Sequence, residues 1–251
     1  MVARESTLPN RIEPDAIAEA LLEIRFEQSS LPEIFYGRMF DSQRWKGRLG
    51  KPTRTGAEKI PEQFRSADPN LKFAPIFHAS GTDNNLLRLG PHAASYHQRA
   101  PYPGWARFRP ELENLVRAVF ETADDVQISR LGFRYVNALS VRAHGIATAA
   151  DLDMEVSIAG DKISDALNLN AEFDVGRETK VTIRVATRSF VQGDIPEDTS
   201  VVVDVDVYSE MMNPITDSES VMDWIDFAHE VEKREFFHLF LQSSIDRWTK
   251  E

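Results

Sequence analysis

Between Val126 and Val141 the chain reads VQISRLGFRYVNALSV, and a period of two runs through it. Successive side chains of an extended strand point to opposite faces. Leu131, Phe133, Tyr135, Leu139 and Val141 therefore fall on one side, and Arg130, Gly132, Arg134, Ala138 and Ser140 on the other. A helix would scatter both sets around its circumference. The pattern returns in VTIRVATRSF, which places Arg184 and Arg188 on one side, and in VVVDVDVYSE, which does the same for Asp204 and Asp206. These strands share a sheet with one apolar and one charged face, and water, the face itself or a partner must satisfy the charge.

The rest of the chain can be arranged around that sheet. In IAEALLEIRFE (17–27) helix propensity conflicts with alternation, and the alternation favours a strand from Leu21 onward. Ser30 as N-cap and Pro32 in the first turn open a helix through Phe35 and Met39 to about Trp45. From Gly47 to Asn70 repeated Gly and Pro predict a long connection without regular structure. Strands are expected at 73–79 and 86–98, joined by the hairpin signal GTDNN. A helix follows at 105–121, with Phe108, Leu112, Leu115, Val116 and Val119 at helical spacing. After a link at 143–150, strands are expected at 152–159, 166–175, 179–190 and 200–209. Asp217 or Ser218 caps a terminal helix from about 220 to 248, with a bend at EKRE (232–235). This order predicts the α+β class: a largely antiparallel sheet packed against helices that include a long C-terminal one. A pseudo-duplicated saddle or a helix-grip sheet would fit, either as one compact domain over 1–251 or as two intimate halves, 1–124 and 125–251.

Charge narrows the partners. A formal charge of −11 disfavours nucleic acid. Residues 38–72 run the other way, with nine Lys or Arg against four acids, so Arg44, Lys46, Arg48, Lys51 and Arg54 form a basic stretch that could dock an acidic group. The absence of cysteine excludes disulfides, thiolate catalysis and Cys-type zinc sites. No signal-type apolar run is present in MVARESTLPNRIEPDAIAEA, and no run suits a bilayer span, so a soluble cytoplasmic protein is expected.

In combination, EALLEIRF, YPGWARF, RLGFRYVN, VVVDVDVY and an AHE followed by a phenylalanine-rich terminal helix resemble a sporadically distributed family of functionally uncharacterised bacterial and archaeal proteins of similar length. The resemblance spans nearly the whole chain. It implies no reaction, cofactor or catalytic residue; the sporadic distribution implies an exchanged accessory role, such as a defence-linked or toxin-linked partner.

The charged face supplies the main candidates: Arg130, Arg134, Arg184, Arg188, Asp204 and Asp206. They can form a self-paired lattice worth about 0.2 to 1 kcal/mol per cross-strand pair, or arginines that grip a carboxylate or phosphate. Gly132 leaves room for a close approach. Glu23, Asp204 and Asp206 are the residues that could hold Mg²⁺ or Mn²⁺. Tyr135 and Asn137 belong to the core side. The six histidines (78, 92, 97, 144, 229, 238) lack ligand spacing, and His238 is expected near the core. Neither GxSxG nor a phosphate loop occurs. A non-catalytic binding or accessory protein is therefore expected, engaging a protein partner, a second copy or an anionic ligand. The alternative is a metal-assisted enzyme acting on a phosphorylated small molecule or polyphosphate.

Overall fold

The alternating segments do form one antiparallel sheet. The structure is a computed structural model and describes residues 8–191, 195–209 and 211–249; the first seven residues of the lead read for a signal segment lie outside it. In chain order the elements are β1 (Ile17–Glu27), α1 (Pro32–Asp41), β2 (Thr53–Arg54), α2 (Glu62–Ala67), α3 (Pro69–Lys72), β3 (Phe77–Ser80), β4 (Asn85–Gly90), β5 (Ala93–Arg99), α4 (Trp105–Thr122), β6 (Gln127–Ser140), α5 (Val141–His144), β7 (Ser157–Ile158), β8 (Asp161–Lys162), β9 (Asn168–Gly176), β10 (Thr179–Thr187), β11 (Thr199–Ser209), α6 (Ser218–His238) and α7 (Gln242–Trp248). Nine strands join in the order β2-β3-β4-β5-β1-β6-β11-β10-β9, and β7 pairs with β8 separately.

The order repeats about the centre. β1 and β6 lie antiparallel in the middle. In each half the first strand is followed by a meander, of four strands in the first half (β2 to β5) and three in the second (β9 to β11), and the meander's last strand returns beside the first: β5 beside β1, β11 beside β6. Each half then closes with a helix laid on that last strand, α4 on β5 and α6 on β11, and the two helices touch. Arg109 of α4 ties them together by donating two hydrogen bonds to Asp226 of α6, both of 2.7 Å.

β1 resolves its conflict in favour of pattern. Leu22, Ile24 and Phe26 are at most 1% exposed, because β1 is paired on both edges, with Leu22 opposite Tyr96 of β5 and Phe133 of β6. Burying each such side chain contributes roughly 1.5 to 3 kcal/mol, against propensity differences of at most about 0.7 kcal/mol per residue. The helices cover this apolar face. α4 buries Phe108, Leu112, Leu115, Val116 and Val119, and α6 buries Val221, Trp224, Ile225, Ala228 and Val231. Asp217 caps α6 by accepting from the Ser220 amide at 2.7 Å.

Several boundaries differ from the expectations. Ser30 does not cap α1; its hydroxyl donates to Asp124 Oδ2 at 2.6 Å, and α1 stops at Asp41 rather than near Trp45. The stretch 47–70 is not structureless, since it contributes β2 to the sheet edge as well as α2 and part of α3. The expected strand 86–98 is two strands, because the chain reverses at Pro91, which has no amide proton for a ladder. Of 152–159 only Ser157–Ile158 is extended. Just upstream, the Asp151 carboxylate accepts from the Ala147 and Thr148 amides and holds a 3₁₀ turn. Val141 leaves the core side and is exposed at the start of α5, where the Ser140 hydroxyl accepts from the Ala143 amide.

The terminal helix does not bend at 232–235. It ends at His238 and restarts at Gln242. That break lets Phe236, Phe240 and Trp248 converge, with ring centroids 4.9 Å apart in each successive pair, and lets the Trp248 indole donate to the His144 carbonyl at 3.0 Å. His238, expected near the core, has a side chain 62% exposed.

Candidate functional site

The face of the sheet opposite the helices carries the charge, and the pairing of its strands decides which charges meet. Register sets Asp206 opposite Arg134 and Asp204 opposite Arg184. The side chains choose differently. The Arg134 guanidinium forks onto Asp204, with Nε to Oδ1 at 2.7 Å and Nη2 to Oδ2 at 2.6 Å. This bond, more than the opposing burial, raises the pKa of Arg134. Asp204 is itself buried. Arg130 lies over the Tyr208 ring at 4.8 Å and 3.5 Å from Glu23 Oε1; burial, followed by the nearby Arg25 charge, lowers its pKa. Arg25 donates to Glu23 Oε1 at 2.7 Å and covers the Phe73 ring. Asp206 accepts no hydrogen bond among the described residues, and burial raises its pKa against the pull of Arg130 and Arg134.

Gly132 has a role other than admitting a ligand. A Cβ there would stand 3.2 Å from Arg130 Nη1, so the space it leaves is filled by the neighbouring guanidinium. Glu23 and Asp204, two of the three possible metal ligands, direct their oxygens at arginines instead of at each other. Among the described residues no group of three or more His, Asp or Glu is arranged to hold a metal ion. Arg188 does not join the face: β10 ends at Thr187, and Arg188 donates from a 3₁₀ turn to the Val191 carbonyl at 3.0 Å. Arg184 does join it, bonded to Asn168 Oδ1 at 2.9 Å and to the Phe190 carbonyl at 3.2 Å, with no carboxylate partner among the described residues.

The face continues across β1 onto β5 and β4. His97 is held by Glu19 at 3.0 Å on Nδ1 and by Ser95 at 2.9 Å on Nε2. Burial lowers the His97 pKa, which suits a neutral ring donating to Glu19 and accepting from the Ser95 hydroxyl. The hydrogen bond from His97 in turn lowers the pKa of Glu19. Beyond this pair stands Arg88, half-buried, which makes no hydrogen bond or ion pair among the described residues. It lines three adjoining recesses. One of about 480 Å³ holds Arg54, His78, Asn84, Asn85 and Arg99 as well, with no carboxylate among its lining residues. A second, of about 680 Å³, runs along Glu19, Arg99, Arg134, Arg184 and Asp204. The third, of about 200 Å³, reaches Glu23 and His97.

No protein-family model matches this chain, and no curated protein does.

The basic stretch divides. Arg44 and Arg48 pair with Glu121 and Glu111 of α4, on the helix side of the sheet. Lys46 and Lys51 are exposed. Arg54 lines the recess of about 480 Å³ at the sheet edge, but β2 pairs with β3 so that Arg54 stands opposite Phe77, and its guanidinium lies at 5.1 Å over that ring, which packs on Tyr36 and Phe40 of α1. Arg88 and Arg99 had a signal of the same kind as the other arginines. In AASYHQR, Ser95, His97 and Arg99 alternate with Ala94, Tyr96 and Gln98, but two short strands read as one blur the period.

Proposed function

We propose that this is a non-catalytic binding protein whose open sheet face takes an anionic ligand, a carboxylate or phosphate group, either free or presented by a partner protein. The observation that carries the reading is Arg88: a half-buried guanidinium that feels the Glu19 charge but makes no direct hydrogen bond or ion pair among the described residues, where recesses lined by Arg54, Arg99 and Arg184 meet. A guanidinium in that position gains most from a planar or tetrahedral anion that it can grip with two parallel hydrogen bonds. Arg130 and Arg134 serve as the satisfied frame beside it, since their charges are taken by Glu23 and Asp204. Binding by charge on a sheet face fits an accessory protein that meets an acidic segment of a partner; the net charge of −11 keeps polyanions off the remaining surface.

The test uses inorganic phosphate, citrate and an acetylated hexaglutamate peptide at low ionic strength, with wild type and Arg88→Ala. At least one probe should raise the wild-type melting temperature saturably, as a ligand of the native state must. The Arg88→Ala variant should fold with a stability within about 1 kcal/mol of wild type, because no direct hydrogen bond or ion pair is lost, and should show no rise. Absence of any shift in wild type with all three probes would sink the reading.

A further inference from the structure

A second site lies on the other side of the sheet. Under residues 9–12, between the core-side end of β6 and α6, is a cavity of about 90 Å³ with Tyr102, Trp105, Tyr135 and Phe237 in its wall. Glu232 of α6 lines it too. That residue is 6% exposed and its carboxyl has no hydrogen-bond or ion-pair partner among the described residues. Buried carboxyl groups are ordinarily paired or hydrogen-bonded, so one aimed unpaired into a cavity marks a missing partner. Asp15, the amides of Asn10 and Asn137 and a phenol pair also line the wall, with the Tyr102 and Tyr135 hydroxyls 2.7 Å apart. His229, stacked on Trp105 with centroids 3.9 Å apart, completes an aromatic side. Exposed Asn10 and Arg11 also line the cavity; Lys233 Nζ donates to Asn10 Oδ1 at 2.9 Å and Arg11 pairs with Glu13.

We propose that this cavity binds the end of a small organic cation, an alkylammonium or guanidinium group, with Glu232 as counter-ion, Asp15 and the phenol pair as further acceptors, and the aromatic rings as its apolar wall. Carboxylate, phenol oxygen and aromatic ring are the three groups that favour a compact desolvated cation. Size agrees: an apolar cavity of roughly 150 Å³ holds benzene, so about 90 Å³ suits a headgroup of about four or five heavy atoms, with any longer tail leaving past Asn10. The site shares no residue with the Arg88 recesses and does not depend on their reading.

Proton linkage provides a signature. Burial lifts the Glu232 carboxyl to about 8 against a small opposing pull from Lys233. A cation needs the carboxylate, so binding at pH 7 expels a proton, and affinity rises about tenfold per pH unit up to about pH 8. Of the groups facing Glu232, His229 is held neutral by burial, at about 4. The Tyr102 and Tyr135 phenols are pushed well up by burial. Asp15 is raised by burial from the ordinary aspartate value, and Arg11 and Lys233 are the basic residues of the lining.

The experiment is a titration of wild type and Glu232→Gln with propylammonium chloride at pH 6 and pH 8, followed by melting temperature and calorimetry, with 1-propanol and sodium propionate as controls. Wild type at pH 8 should bind propylammonium saturably, more weakly at pH 6 by at least tenfold, and with proton release at pH 7. Glu232→Gln should lose at least tenfold in affinity, and neither control should bind comparably. The proposal is overturned by no binding at pH 8, by equal affinity for 1-propanol or propionate, or by Glu232→Gln binding as wild type does. Should that variant fail to fold, the wild-type pH series decides, and equal affinity at pH 6 and pH 8 overturns it.

Discussion

Arg134 and Asp204 show how one pair of side chains can both frame a site and hold the fold. Removing Arg134 leaves a buried carboxylate alone, and losing one partner of such a pair costs about 2 to 5 kcal/mol. Because the Arg134 side chain is 40% exposed, Arg134→Ala should fall at the low end, about 2 kcal/mol by urea denaturation. Glu232 makes a prediction of opposite character. Its pKa is about 8 folded against 4.5 for an ordinary glutamate, so the native state holds the extra proton between those values and stability falls as pH rises through that window. His229, lowered from 6.5 to about 4, works the other way but only below pH 6.5. Between pH 6.5 and 8 wild type should therefore lose about 2 kcal/mol relative to Glu232→Gln, at about 1.4 kcal/mol per pH unit. Urea midpoints for both proteins at the two pH values check this, and parallel pH dependence would refute it. Arg134 was legible from its place in an alternating strand; Glu232 was not, because a helix of 21 residues shows which stripe is apolar but not which polar neighbour the sheet will cover.

The strands are unequal. Phe133 of β6 and Leu22 of β1 face each other at the centre with no exposure, whereas Phe173 of β9 is 51% exposed at the sheet edge. Phe133→Ala should destabilise by about 3 to 5 kcal/mol through lost transfer energy and a cavity that packed neighbours cannot fill, while Phe173→Ala should stay within about 1 kcal/mol. Thermal melts of the two variants suffice to compare them. The long segments were readable because their period persists: β1, β6, β11 and α4 stand within a few residues of where alternation or helical spacing sets them. Short ones were not. β4 and β5 merged in the reading because the turn between them spans only two residues, and α2 and α3 are too brief to show a period among the prolines that flank them.

Apart from the added edge strand β2, both halves of the sheet have the same connectivity. β1 and β6 pair over nearly their whole length, and separating them would expose two apolar central strands as open edges, a known route to aggregation. Fragments 8–124 and 125–249 expressed alone should be insoluble or unfolded, whereas the two expressed together should recover the native circular dichroism spectrum. A soluble, folded fragment from either half would show that the central pairing is dispensable. The same pairing brings Arg88 of one half beside Arg134 and Arg184 of the other, so the recess of about 680 Å³ exists only in the joined sheet.

What the amino-acid order determined by itself was local and periodic: which segments are extended, which face of each is charged, and where the principal helices lie, because alternation and helical spacing act between near neighbours in the chain. What the tertiary structure decided was who meets whom. Among the described residues Arg134 takes Asp204 and leaves Arg184 without a carboxylate, Arg54 travels with β2 to the sheet edge and covers Phe77 while Arg44 and Arg48 dock on α4, and Arg88 is left without a direct bond. Those outcomes depend on strand order and on side-chain reach across a sheet, between residues far apart in the chain, and period alone carries no record of them.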